Sequence, residues 1–194
     1  MKYTLGIDEV GRGPIAGPVA VGVFVLLDTK SVKMFKGVKE SKQLPEDKRE
    51  EWFKKIQIAK EDRLVDFHVV FQSEKIIDTK GLSFAINNAL RLAIKKTKLN
   101  PKEVRVLLDG GLKAPKEYTN QKTIIKGDAK EMSIALASIC AKVLRDRKMR
   151  QWSIKYPNYG FEINKGYGTR AHYEAIKKYG LTPLHRRSFL KRLQ

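Results

Sequence analysis

The 194-residue chain has one cysteine, Cys140, and three histidines, His68, His172 and His185. A single thiol cannot form an intrachain disulfide, and no zinc cluster can be built from thiolates. Cys140 lies among small and apolar residues in SIALASICAKV, the setting of a buried core thiol rather than a nucleophile. Long hydrophobic runs are also missing. The longest, PVAVGVFVLL, is too short for a membrane-spanning helix. The opening MKYTLGIDEV reaches two acids before a secretory hydrophobic region could form. The sequence therefore predicts a cytoplasmic protein with no membrane association. Negative charge is scarce as well: 21 Asp and Glu stand against 40 Lys and Arg, a formal net charge of +19.

A charge that large repels itself in the folded state, and a polyanionic partner is the usual reason to keep it. A heat-adapted surface is the alternative, but it would carry acids in comparable number. Hydrophobic residues make up 42% of the chain, enough for a real core. Length and the absence of linkers or repeats predict one domain over 1–194, with a basic helical appendage from about residue 160.

Periodicity reads as strands over 3–7, 17–27, 63–72, 104–109 and 123–126. The second is Val-rich and apolar on both faces, as in a central, doubly covered strand. Helices are expected over 44–57, 81–97 and 131–152, and two short ones in the tail, over 164–180 and 182–193. The order of elements predicts an α/β protein with a mixed sheet covered on both sides.

The few acids fall in telling places. Asp8 and Glu9 follow the first strand, Asp109 ends the fourth, and Asp128 follows the fifth. Ligand sites of α/β sheets gather at strand ends, and carboxylates concentrated in a basic protein call for a cation. With oxygen ligands and no thiolate cluster, that cation is Mg²⁺ or Mn²⁺ rather than zinc. Structural readings stand beside this one. Asp109 precedes two glycines, a common turn. Asp128, with Glu131 three residues on, has the pattern of a helix cap. Adjacent Asp8 and Glu9 repel unless something neutralises them. In a regular strand they would face opposite sides, so either the strand ends at Asp8 or Glu9 reaches the site from the side. The segment GRGPIAGP that follows is neither a dinucleotide fingerprint nor a phosphate loop. Gly11 and Gly13 would let backbone approach a ligand closely, unless the segment is a plain turn between strands.

Together these segments resemble the ribonuclease HII family. GIDEVGRGPIAGPVAVG resembles its N-terminal signature, ESKQL its Asp-Ser-Lys-x-Leu segment, with Glu40 where the family usually has Asp. LLDG, IIKGDAKEMSIALASICAKVLRDR and YPNYGFEINKGYGTRAHYEAIKKYGLTPLHRRSF follow in order, so the likeness spans about residues 5–190. The resemblance implies a ribonuclease H-like mixed β-sheet flanked by helices. It implies catalysis by Asp8, Glu9, Asp109 and Asp128, holding two divalent ions, with Asp8 shared, Glu9 and Asp109 on the leaving-group side and Asp128 on the water side. The implied substrates are RNA–DNA hybrids and duplex DNA with an embedded ribonucleotide. The cut would fall 5′ of the ribonucleotide, leaving 3′-hydroxyl and 5′-phosphate ends.

By the same resemblance, Gly11, Arg12, Gly13 and Tyr167 would read the 2′-hydroxyl and sugar, the group that separates RNA from DNA. Substituting Gly11 or Gly13 by Ala is expected to crowd the nucleic acid. Ser41, Lys42, Arg186 and Arg187 are expected at phosphates, and His185 near one of them. No sliding-clamp motif is evident, and a monomer is expected.

Overall fold

A computed structural model of the chain describes residues 1–28 and 31–191, apart from the side chain of Ser31. Its strands are β1 (Tyr3–Val10), β2 (Val19–Leu26), β3 (Val65–Gln72), β4 (Val104–Asp109) and β5 (Gln121–Ile124). Its helices are α1 (Ser31–Met34), α2 (Glu46–Glu61), α3 (Glu74–Lys80), α4 (Leu82–Lys96), α5 (Gly127–Lys130), α6 (Met132–Lys155), α7 (Phe161–Asn164) and α8 (Arg170–Tyr179). The sheet order is β3-β2-β1-β4-β5. β1, β2 and β3 pair antiparallel, while β1, β4 and β5 run parallel. This is the mixed sheet the element order predicts. No helix among the described residues is long and apolar enough to cross a membrane.

The period-two alternation of β2 explains why both its faces are apolar. Val19, Val21, Val23 and Val25 pack with Leu5, Ile7 and α4 on one side. Phe24 packs with α6 and α2 on the other. Two glycines let α6 lie directly on the sheet. A Cβ at Gly6 would fall 2.0 Å from the carbonyl carbon of Ser133, and one at Gly22 2.5 Å from the Ala137 oxygen. Small residues on α6 meet glycines on the strands, so helix and sheet backbones touch. Cys140 is buried in this layer, and burial pushes its thiol up.

Several boundaries differ from the sequence reading. β1 continues to Val10, so Asp8 and Glu9 both lie inside a strand, opposite Gly22 and Val21. β5 sits two residues earlier than expected. α3 was not anticipated; its seven residues are too few to show a helical period. The expected second tail helix reduces to one 3₁₀ turn, Arg187–Phe189. Residues 184–186 instead pair with the loop after β1. Gly17 N donates to Leu184 O, Arg186 N donates to Ile15 O, and Ala16 bridges His185. Residues 192–194 of that expected helix lie outside the described residues. The tail packs on Ile15, Ala16 and Met149 through Tyr159, Phe161, Ile176 and Leu184.

His172 and His185 are buried in this tail cluster, their Nε2 atoms 3.1 Å apart. His185 therefore stands against another imidazole, not at an exposed phosphate position. Thr182 N donates to His185 Nδ1 at 2.9 Å, so the neutral ring carries its proton on Nε2. It donates that proton to His172 Nε2, leaving His172 Nδ1–H to donate to the Tyr167 carbonyl at 2.8 Å. Burial, with the neighbouring ring second, pulls His185 down to about 4, and burial lowers His172. An unfolded imidazole takes up its proton near pH 6.5. Between these values the unfolded chain binds more protons than the folded one. This contribution to stability is therefore full above about pH 6.5 and lost as pH falls towards 4, about 3 kcal/mol for the whole span. Urea unfolding at pH 7.0, 5.5 and 4.5 should show a shallower pH slope in His185→Asn than in the wild type. Equal slopes would mean that the pair is not buried neutral.

Candidate active site

Three neighbouring parallel strands deliver the acids to one end of the sheet. Ile7 pairs with Leu108 and Asp109 with Ile124, so Asp8 and Asp109 leave adjacent strands at the same level. After β5, Lys126 takes a left-handed conformation (φ 54°) and turns the chain into α5, which carries Asp128. Asp128 does not cap the long helix. The N-cap position of α6 is Glu131, which makes no side-chain capping bond. Nor is Asp109 only a turn residue, because its Oδ1 accepts from Gly127 N at 2.6 Å and pins α5 to the end of β4.

Asp8 is buried on the α6 side, where the Ser138 hydroxyl acts on it electrostatically. Ser138 also meets the Ser41 hydroxyl at 2.8 Å. Glu9 is half-buried, and Arg12 Nη1 donates to its Oε1 at 2.8 Å. Its Oε2 is buried with no hydrogen-bond partner among the described residues. Burial raises Asp8 to about 7, against the Ser138 hydroxyl, and Glu9 and Asp109 raise it further. Glu9 and Asp128 are also raised, first by burial, and in each case the charge of Asp109 adds to the rise. Asp109 is thus the carboxylate that the other three all feel. Lys42 Nζ lies 3.9 Å from Asp128 Oδ2 and opposes its rise.

Among the described residues, no three Asp, Glu, His or Cys side chains close on one point as they stand. The donors fit a hard divalent cation all the same. They are carboxylate oxygens only, one of them buried without a partner, at a place where burial disfavours the ionised form unless positive charge is brought in.

The GRG segment runs alongside. Gly11 has φ +91°, and a Cβ there would fall 2.3 Å from Arg145 Nε and 2.8 Å from Pro18 O. Gly13 is different: a Cβ there would meet only the Tyr167 ring, at 3.7 Å. Tyr167 is 46% exposed, and its loop is fastened by Ile15 N and Ala16 N, which both donate to Gly166 O. Gly13 and Tyr167 thus share an open face, next in the chain to Arg12, which bonds Glu9.

A family model described as Ribonuclease HII matches residues 5–192. The chain belongs to the ribonuclease HII family. It is a type 2 ribonuclease H, a hydrolase. Ribonuclease HII of Clostridioides difficile (strain 630) is 47% identical over 98% of this chain and 71% of its own length. That of Caldicellulosiruptor bescii is 43% identical over 99% of this chain and 88% of its own. The crystal structure of ribonuclease H2 from Pyrococcus horikoshii OT3 superposes with a TM-score of 0.76 at 29% identity, covering 96% of this chain and 93% of that one.

Within this member of the family, the expected phosphate contacts divide. Lys42 is exposed beside Asp128, and Arg187 is exposed with its backbone held by Asp78. Ser41 is buried, and its hydroxyl is committed to Ser138. Arg186 is fully buried, and its guanidinium is spent on the carbonyls of Gly11, Arg12 and Gly17. Neither Ser41 nor Arg186 has a side chain free for a phosphate. Gly11 faces Arg145 rather than open surface, so its need for glycine is internal. Sequence reasoning missed Ser138 and Arg145. Both lie in the α6 stretch quoted for the resemblance, but only the helix packed on the sheet shows which way they point.

Proposed function

We propose that the chain hydrolyses the RNA strand of RNA–DNA hybrids and cuts 5′ of single ribonucleotides embedded in duplex DNA. The observation that supports this reading is that Asp8 and Asp109 stand at one level on adjacent strands, with Glu9 beside Asp8 and with Asp128 on α5, which Asp109 pins to the end of β4. These four acids would hold two divalent ions, Mg²⁺ or Mn²⁺. When bound, such ions activate a water and stabilise the leaving oxygen of an in-line displacement, giving 3′-hydroxyl and 5′-phosphate ends. Asp8 must lose its proton to serve, so metal affinity should rise with pH through about 7. Glu9 N donates to Asp8 Oδ1, and Arg12 fixes one oxygen of Glu9 while the other has no hydrogen-bond partner among the described residues. The backbone of Gly11–Gly13 and the ring of Tyr167 read the ribose, where the 2′-hydroxyl is the distinguishing group.

The direct test is incubation of a duplex carrying one ribonucleotide, with and without Mg²⁺, with the cut mapped to the nucleotide. Cleavage confined to the 5′ side of that ribonucleotide and dependent on Mg²⁺ is expected. Metal-independent cleavage, or equal cleavage of the all-DNA duplex, would overturn the reading.

Lys42 stands on a loop anchored to α6 by the Ser41–Ser138 bond, so its charge is placed beside the acids. We expect Lys42→Ala to weaken duplex binding and to reduce the log–log salt slope by about one, the loss of one phosphate contact, without moving the cut. Titrations from 50 to 200 mM salt read this, and an unaltered slope would remove Lys42 from the phosphate path.

A further inference from the structure

Two buried arginines hold the substrate-facing loops from inside. Arg186 is 0% exposed. Its Nε donates to Gly17 O (2.9 Å), Nη1 to Arg12 O (3.0 Å) and Nη2 to Gly11 O (2.7 Å). Arg145, also 0% exposed, donates from Nε to Pro18 O (2.9 Å), from Nη1 to Lys165 O (3.0 Å) and from Nη2 to Ala16 O (3.4 Å). The carbonyls at 11, 12, 16, 17 and 18 are thereby turned inward, and Lys165 ties in the Tyr167 loop. The amides of Arg12 and Gly13 donate to no backbone carbonyl among the described residues.

Burying two like charges side by side costs stability unless they are compensated. Glu74 supplies part of the compensation. It is buried, its charge acts on both arginines, and its Oε1 has no hydrogen-bond partner among the described residues. A guanidinium donates along several fixed directions in one plane, and a lysine cannot reproduce that fork. Packing alone would be served better by apolar side chains. What the fork achieves is orientation of the loop backbone.

We propose that Arg186 and Arg145 are positioning residues for ribose discrimination: Arg186 holds the Gly11 and Arg12 carbonyls inward and so presents the Gly11–Gly13 backbone to the 2′-hydroxyl, while Arg145 braces that loop through Ala16, Pro18 and Lys165. This rests on the ribose-reading role given to that loop above. It assigns Arg186 a task unlike a phosphate contact, and the two are separable.

The test uses the full chain with Asp109→Asn, expected to bind substrate while consuming it at least about 10³-fold more slowly. Affinities for a duplex with one ribonucleotide and for its all-DNA counterpart are compared in Mg²⁺. The parent should prefer the ribonucleotide duplex by about 3–10-fold, the worth of one hydrogen bond. Arg186→Lys and Arg186→Gln should both bring that preference close to unity, with all-DNA affinity and salt slope unchanged. A preference kept in both variants would overturn the proposal, even if their melting temperatures fall, because the role would then be structural only. A salt slope smaller by about one in Arg186→Gln but not in Arg186→Lys would return Arg186 to the phosphates and also overturn it. A parent with no preference would instead sink the ribose-reading role of the loop, and the proposal with it. If Arg186→Lys lacks a native circular-dichroism spectrum, Arg145→Lys takes its place with the same readouts. Failure of both to fold would make the arginines scaffold and defeat the proposal.

Discussion

Asp109→Asn will lower single-turnover cleavage of a ribonucleotide-containing duplex by about 10³-fold or more, while duplex affinity stays within a few-fold. Loss of a carboxylate from a metal cluster removes several kcal/mol of transition-state stabilisation, and about 4 kcal/mol is a factor of 10³. Asp109 is the sharpest position for this test, because Asp8, Glu9 and Asp128 all feel its charge. Asn retains the oxygen that accepts from Gly127 N, so α5 stays in place. A second readout separates a ligand from a fold residue. In EDTA the variant should melt higher than the wild type, since one of several crowded like charges is gone. Relief of about 1 kcal/mol would raise the midpoint by about 2–4 °C. Rapid-quench kinetics and thermal melts measure the two effects. Near-normal cleavage would leave Asp109 as the residue that pins a turn and nothing more.

The second large effect concerns the open face between Gly13 and Tyr167. Tyr167→Ala is expected to slow cleavage by about 10²-fold, the scale of misplacing a reacting group by about 1 Å. Tyr167→Phe keeps the ring that faces Gly13 and should lose much less. Gly13→Ala adds a methyl in ordinary contact with that ring and in no clash with the rest of the chain. It should fold normally and still cleave poorly. Gly11→Ala should behave otherwise. Its φ of +91° and the nearness of Arg145 Nε and Pro18 O strain the folded state itself. Its activity loss should come with a lower melting temperature, whereas that of Gly13→Ala should not. Wild-type rates in Tyr167→Ala would make Tyr167 an ordinary loop aromatic. Equal melting losses in both glycine variants would mean that the two positions are not distinct.

Much of the architecture was legible along the chain because it depends on near neighbours. The alternation of valines in β2, the apolar stripe of α4 and the carboxylate that closes β4 are all patterns within a few residues. The same locality left other questions open. An Asp just before a long helix has one pattern whether it caps that helix or faces a ligand. What removes the cap of α6 is α5, a distinct turn set by the left-handed Lys126 and by Asp109, a residue 18 positions from Gly127. GRG contains two glycines that look equivalent in sequence, yet one faces a buried guanidinium from α6 and the other faces open surface. Arg186 carries the charge of a phosphate contact, and only the pairing of residues 184–186 with 15–17 turns it inward. Residue type and spacing determined which groups this protein has available and roughly where along its strands they fall. The direction each side chain faces was decided by the tertiary structure. That direction depends on contacts between segments more than a hundred residues apart, such as Ser133 and Ala137 of α6 lying against Gly6 and Gly22, and no local pattern encodes such contacts.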